Sequence, residues 1–205
     1  MGDSEAHNLL TIHHSPFTIH GSPMQYEKLA IPDVVLLTPQ VFGDERGFFM
    51  ETFRQSEFEK HCGNYQFVQD NHSKSAHGIL RGLHYQYQQP QGKLVRVTRG
   101  EVYDVAVDMR KSSPTFGQWV GALLSEENKQ MLWVPPGFAH GFYVTSEEAE
   151  FQYKCTDYYA PGDEVSVAWD DPQVAISWPL KKGQAPQLSG KDAQGTSFAN
   201  APYFK

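Results

Sequence analysis

Between residues 31 and 178 the chain alternates short β-branched or aromatic stretches with turn-forming residues at short intervals, the habit of sandwiches and barrels. This pattern predicts strands over 34–37, 48–53, 66–73, 78–86, 93–99, 101–109, 118–124, 130–134, 139–144, 150–156 and 165–169. Arg99-Gly100-Glu101 joins two strongly alternating segments and predicts a hairpin turn, because glycine takes a positive φ without a side-chain penalty. Helical signals are few. Residues 56–62 open with Ser56 as an N-cap and carry Phe58 as an apolar anchor, while 125–129 suits a single turn. Residues 181–200, rich in Lys, Gly, Gln, Ala and Ser, read as a loop with one short helix. No repeat of about 20–50 residues is visible, which sets aside solenoids and propellers. The predicted class is all-β.

Composition agrees and narrows the partners. Aromatics make up 13% of 205 residues, more than a helical bundle needs and well suited to half-buried strands. Residues 1–23 carry four of the nine histidines, no Lys or Arg, and Gly-Ser-Pro directly before Met24. They read as an expression tag or, alternatively, a natural disordered extension, leaving 24–205 as one domain. A net charge of −7 argues against a nucleic-acid or acidic-membrane surface, so an anionic ligand would need a local cluster of Arg and Lys. Cys62 and Cys155 form no CxxC pair, which disfavours a disulfide framework or thiolate metal site and suits a reducing cytoplasm. No apolar run approaches the roughly 20 residues of a membrane span, and no secretory signal order opens the chain.

Candidate chemistry concentrates in two places. Gln69-Asp70-Asn71-His72-Ser73 precedes Leu80-Arg81-Gly82-Leu83-His84-Tyr85-Gln86, and such groups planted in strands need partners or a ligand when buried. Strict alternation puts Arg81 and His84 on opposite faces; if both serve one pocket a bulge must intervene, and Gly82 permits it. The second cluster, from Trp133 to Phe142, is a Pro-Gly turn feeding a strand with His140, a PxGxxH pattern that also suits a purely structural hairpin. Together the two resemble the paired motifs of the cupin superfamily, which often donate imidazoles to a metal. Here Gln86 stands where a second imidazole would be, and no acidic ligand follows within Tyr87-Gln88-Gln89-Pro90, so a metal-free barrel is expected.

Longer motifs are more specific. Gly43-Asp44-Glu45-Arg46-Gly47-Phe48-Phe49, Phe67 to Ser73, Leu80 to Gln86, Gln91 to Arg96, Ser113 to Trp119, Gly137 to Phe142 and Glu150 to Lys154 occur in that order. In that arrangement the chain resembles the dTDP-4-dehydrorhamnose 3,5-epimerases over residues 29–192. The resemblance implies a cupin-type jelly-roll double-sheet β-barrel with a few short helices. It also implies a cofactor-free cytoplasmic homodimer that inverts carbons 3 and 5 of a dTDP-linked 4-keto-6-deoxyglucose. Hydrogens beside the ketone are acidic, so a base, an enolate stabiliser and an acid on the opposite face suffice.

By the same resemblance His84 is the base, Asp192 its orienting carboxylate, Tyr153 the acid and Lys93 the partner of the enolate oxygen. Arg46, Glu51, Gln69, Asp70, Asn71, Arg81, His140, Glu164 and Lys191 fall where the family binds the sugar nucleotide, with Arg46 and Arg81 suited to gripping the diphosphate bidentately. Tyr159 matches the residue stacking on thymine, although Tyr158 could do the same; His72 and Asp104 lie near the catalytic centre or act as structural hydrogen-bond partners. The apolar stretch 29–37 is the segment expected to cross to a second subunit. A single-carbon epimerase, a ketoisomerase and a non-catalytic sugar-nucleotide-binding cupin remain rival readings.

Overall fold

The computed structural model describes residues 24–181 and 183–205. The expected tag or extension, 1–23, lies outside the described residues. Thirteen strands are described: β1 (Met24–Lys28), β2 (Val35–Pro39), β3 (Val41–Asp44), β4 (Gly47–Met50), β5 (Gln69–Ala76), β6 (Leu80–Gln86) and β7 (Lys93–Arg99), then β8 (Glu101–Asp108), β9 (Trp119–Ser125), β10 (Met131–Val134), β11 (Phe138–Val144), β12 (Glu148–Cys155) and β13 (Glu164–Ser166). One helix, α1 (Gln55–Cys62), and short 3-10 turns at Pro161–Asp163, Asp192–Gln194 and Phe198–Asn200 complete the list.

Two antiparallel sheets face each other in the jelly-roll manner, ordered β1-β2-β10-β7-β12-β5 and β13-β6-β11-β8-β9, with β3-β4 a separate ribbon. Between them lies a core fed by alternate residues of both sheets, including Val95, Leu132, Phe151, Val102, Ala106 and Phe142. Each outer face is also covered in part. The C-terminal segment lays Val174, Phe198 and Ala201 over Val105, Val107 and Ala139, and α1 inserts Phe58 against Trp133 and Leu94. Burial on both faces explains why β8 and β11 lack a clean polar alternation.

Several boundaries differ from the sequence expectation. The segment 29–37 is not one strand: β1 turns back through 29–34 into β2, and β1 forms the sheet edge. The expected strand 48–53 is the short β4 paired to β3. Ser56 does not cap α1; Arg54 holds the N-cap position in extended conformation, and Gln55 bonds Glu59 and the Tyr65 carbonyl. Two 3-10 turns replace the single helix expected in 181–200. The expected turn at 125–129 is present, closed by Lys129 N–H on the Ser125 carbonyl at 2.9 Å.

Gly100 does not close a hairpin. It passes the chain from β7 in one sheet to β8 in the other. Its φ is +73°, and a Cβ there would collide with the Glu148 carbonyl oxygen. Gly100→Ala is therefore expected to lower unfolding free energy by about 1–3 kcal/mol, combining a left-handed penalty with a backbone clash. A urea melt reads the change, and an unaltered midpoint would contradict it.

Candidate active site

The bulge that Gly82 permits is present. β6 pairs β11 with His140 opposite His84, then shifts register so that Arg81 stands opposite Phe142. The shift needs two bare backbones: a Cβ on Gly82, whose φ is +131°, would lie 2.5 Å from Gly141 Cα, and one on Gly141 would lie 2.7 Å from the Arg81 carbonyl oxygen. Arg81 and His84 consequently line one cavity of about 540 Å3, together with Lys93, His140, Tyr153, Lys191 and Asp192. An adjoining space of about 240 Å3 shares His84, Lys93 and Tyr153 and continues to Gln69, Asn71, Tyr159 and Glu164.

The two sheets contribute different chemistry. His84 Nε2 lies 2.5 Å from Asp192 Oδ1, and Asp192 is 4% exposed. The segment carrying Asp192 is docked beside β6 by Leu80 N–H on the Gln187 carbonyl (3.0 Å) and Gln187 N–H on the Gly78 carbonyl (2.8 Å). Burial alone would raise the Asp192 carboxyl, but hydrogen bonds from His84, Ser189 and the Gly82 N–H outweigh it and hold the group below its ordinary value. Glu164 on β13 binds Lys191 Nζ at 2.5 Å and the Tyr159 hydroxyl at 2.8 Å, with Oε1 3.6 Å from His84 Nδ1. Despite burial, those donors depress its carboxyl too.

From the other sheet come Lys93 on β7 and Tyr153 on β12. Burial lowers the Lys93 ammonium from its ordinary value, opposed by the neighbouring Cys155, Glu164 and Asp104. Burial pushes the Tyr153 phenol up to about 12. Deeper in the barrel, His140 Nε2 meets both oxygens of the fully buried Asp104 at 2.9 and 3.0 Å. Burial raises that carboxyl against the opposing pull of His140. One layer down, Phe142 from one sheet stacks on Phe151 from the other at 4.2 Å, closing the cavity floor.

Other residues singled out from sequence lie elsewhere. β5 follows strict alternation, so Gln69, Asn71 and Ser73 turn to the cavities while Asp70 and His72 turn outward to Lys154 (3.1 Å) and Glu150 (3.2 Å). Asp70 and His72 line a different cleft, of about 370 Å3, with Arg96 and Gln152 instead. Arg46 is paired with Asp44 on the exposed β3-β4 ribbon, and Glu51 binds Arg54 at 2.6 Å; neither lines the cavity in the single chain. Of the two adjacent tyrosines, Tyr159 lines the cavity, whereas the 64%-exposed Tyr158 does not.

Sequence reasoning missed Ser189 and the structural use of Gln86. The Gln86 amide donates to the Gln89 and Tyr158 carbonyls and accepts from Ala160 N–H, pinning the loop that carries Tyr159. Its spacing of two from His84, on the same strand, was the available signal. Among the described residues no group of three His, Cys, Asp or Glu side chains is placed to hold a metal ion.

Comparison with known proteins adds independent findings. The family model described as dTDP-4-dehydrorhamnose 3,5-epimerase matches residues 28–200. A curated dTDP-4-dehydrorhamnose 3,5-epimerase of Pseudomonas aeruginosa is 61% identical over 182 residues, covering 88% of this chain and 99% of the relative. The Shigella flexneri enzyme of the same name is 57% identical over 88% of this chain and 99% of its own length. A crystal structure of dTDP-6-deoxy-D-glucose-3,5-epimerase from Legionella pneumophila in complex with dTDP-4-keto-L-rhamnose superposes with a TM-score of 0.84 at 54% identity, covering 87% of this chain and 95% of that one.

The depressed Asp192 carboxyl has a consequence for stability. A carboxyl with a lowered folded value stabilises the fold fully above its unfolded value near 3.8 and loses that contribution as pH falls through the folded value. The stability gap between wild type and Asp192→Asn should therefore be greatest at neutral pH and shrink in acid. Urea melts from about pH 7 down to about pH 2 measure it, and a gap independent of pH would contradict the assignment.

Proposed function

We propose that this chain, which belongs to the dTDP-4-dehydrorhamnose 3,5-epimerase family, converts dTDP-4-dehydro-6-deoxy-D-glucose to dTDP-4-dehydro-L-rhamnose. It is a cofactor-independent isomerase of dTDP-L-rhamnose formation. The observation that carries the residue roles is the division of labour across the barrel. The His84–Asp192 pair approaches the cavity from one sheet, while Lys93 and the protonated phenol of Tyr153 approach from the other.

His84 takes the proton from carbon 3, and the C–H electron pair moves into a C3–C4 double bond with negative charge on the C4 oxygen. Lys93 faces that oxygen. Its ammonium is disfavoured by burial, so it gains most when a negative charge appears beside it. Tyr153 then delivers a proton to the opposite face, inverting the centre, and protons exchanged with water reset both groups. The same sequence at carbon 5 completes the reaction. Holding its proton up to about pH 12, Tyr153 stays a phenol until an enolate draws on it.

The nucleotide enters through the Tyr159 side, where Tyr159 stacks on the base and Arg81, Lys191, Gln69, Asn71 and Glu164 bind the carrier; His140, oriented by Asp104, faces the sugar. Asp70 and His72, turned outward, take no part. The chain works as a cytoplasmic homodimer without metal. Phe48 and Phe49, 60% and 63% exposed on the β3-β4 ribbon, support pairing, because a second copy would cover them. Arg46 and Glu51, on and next to that ribbon, serve as nucleotide contacts only when it is brought against the cavity of the other subunit. Two unpaired cysteines suit a reducing compartment. Among the described residues no helix is long and apolar enough to cross a membrane.

Proton NMR of the substrate in deuterated water tests the chemistry. Wild type should incorporate deuterium at carbons 3 and 5; exchange at one carbon alone would indicate a single-carbon epimerase. His84→Ala should lose exchange and inversion together by at least about 100-fold, as expected for a positioned general base. Tyr153→Phe should slow inversion far more than wash-in at the first carbon. Equal loss of both, with nucleotide binding intact, would overturn the acid role. For assembly, light scattering at micromolar protein should return the mass of two chains, and a monomer mass would refute the dimer.

A further inference from the structure

We propose that Ser189 is a positioning residue of the reaction: its hydroxyl fixes the rotation of the Asp192 carboxylate and, through it, the tautomer of His84. The proposal rests on the reading of His84 as the base. Ser189 Oγ donates to Asp192 Oδ2 at 2.8 Å and accepts Asp192 N–H at 3.1 Å. With its acceptor side occupied by a backbone N–H three residues on, the hydroxyl hydrogen is directed at the carboxylate. A carboxylate turns about its Cβ–Cγ bond and exchanges its oxygens unless one of them is tied. Ser189 ties Oδ2, which leaves Oδ1 for His84 Nε2 at 2.5 Å.

The ordering has a chemical consequence. Asp192 is held ionised, and a carboxylate only accepts, so in the neutral imidazole Nε2 carries the hydrogen and Nδ1 the lone pair. Glu164 Oε1 stands 3.6 Å from Nδ1, outside hydrogen-bond range, so nothing among the neighbouring carboxylates competes to reverse the tautomer. A neutral imidazole beside a carboxylate free to turn away populates both tautomers, of which only one can take a proton at Nδ1. The docking of residue 187 against Gly78 and Leu80 brings the segment to β6, but its bonds are backbone bonds and leave the carboxylate free to rotate. The Gly82 N–H also reaches the carboxylate, so the Ser189 hydroxyl is the one side-chain donor besides His84 that orients it, and the exposed position of Ser189 at the cavity rim means that removing it opens no hole in the core.

Four variants and two readouts test this on the full chain: Ser189→Ala, Ser189→Thr, Asp192→Asn and Ser189→Ala with Asp192→Asn. With dTDP-4-dehydro-6-deoxy-D-glucose, Ser189→Ala should lower kcat about tenfold, the size expected for loss of one hydrogen bond to a charged group, and leave KM within about twofold. Ser189→Thr keeps the hydroxyl and should stay within about threefold of wild type. In the Asp192→Asn background, removing the Ser189 hydroxyl should cost less than about twofold more, because its target is already altered. Nitrogen-15 NMR of the histidine side chains should show one His84 tautomer, hydrogen on Nε2, in wild type and Ser189→Thr, and a mixture in Ser189→Ala. An unchanged tautomer in Ser189→Ala, or the same loss of kcat in both backgrounds, overturns the proposal. The tautomer readout needs no substrate. Absence of exchange in wild type would therefore sink the epimerase reading by itself, while a tautomer mixture in Ser189→Ala would still uphold the positioning role.

Discussion

Strands β6 and β11 shift register only because neither carries a side chain where they come closest, at Gly82 and Gly141. An added methyl on either would meet backbone rather than a movable side chain, so the constraint is a hard one. Three features of the site follow from it. Arg81 and His84, on opposite faces of an ideal strand, share a cavity; His140 comes opposite His84; and the Gly82 N–H is left free to bind Asp192. The close approach thus shapes the cavity wall and supplies one of the donors that keep its carboxylate ionised.

Charge within the cavity is arranged against the sign of the whole chain. A net charge of −7 repels a nucleoside diphosphate at long range, so attraction has to be local. Arg81, Lys93 and Lys191 line the main cavity, and among the described residues only Lys191 of the three has a direct carboxylate partner, Glu164. Arg81 bonds the Ser75 hydroxyl at 3.0 Å, a neutral partner that orients the guanidinium without cancelling its charge.

Much of this was legible in residue order, and the illegible part has physical causes. Alternation and turn residues located the strands of the two sheets except the edge strand β1, for which no strand was expected, and β7 matches its expected bounds at Lys93–Arg99. The bulge at Gly82 was readable because Arg81 and His84 conflict with a period of two. The same period, applied to β5, separates Asn71 from Asp70 and His72, a division that treating the run as one polar cluster obscured. Sheet membership was not readable. A Gly100 that turns a hairpin and one that carries the chain between sheets have the same local requirement for positive φ, and only long-range pairing tells them apart. Ser189 escaped notice because its partner, three residues away, is a short-range contact whose value depends on His84, 105 positions distant in the chain.

Burial acts on Lys93 and Tyr153 in the same chemical sense, although it moves their values in opposite directions. Each is pushed towards its neutral form, because a dry wall penalises any isolated charge. On the facing side, Asp192 in its 3-10 turn beside β6 and Glu164 on β13 stay ionised, each because two or more donors repay the loss of water. The barrel therefore keeps permanent charge where hydrogen bonds are dense and leaves the β7-β12 wall short of it. A negative charge that develops on a sugar oxygen beside that wall meets an ammonium that has no direct ion-pair partner among the described residues and a phenol that still holds its proton. Both groups improve their solvation by engaging it, one by electrostatic pairing and the other by donating. The stabilisation is greater for the enolate than for the ketone that precedes it, which is the difference in binding that lowers a barrier.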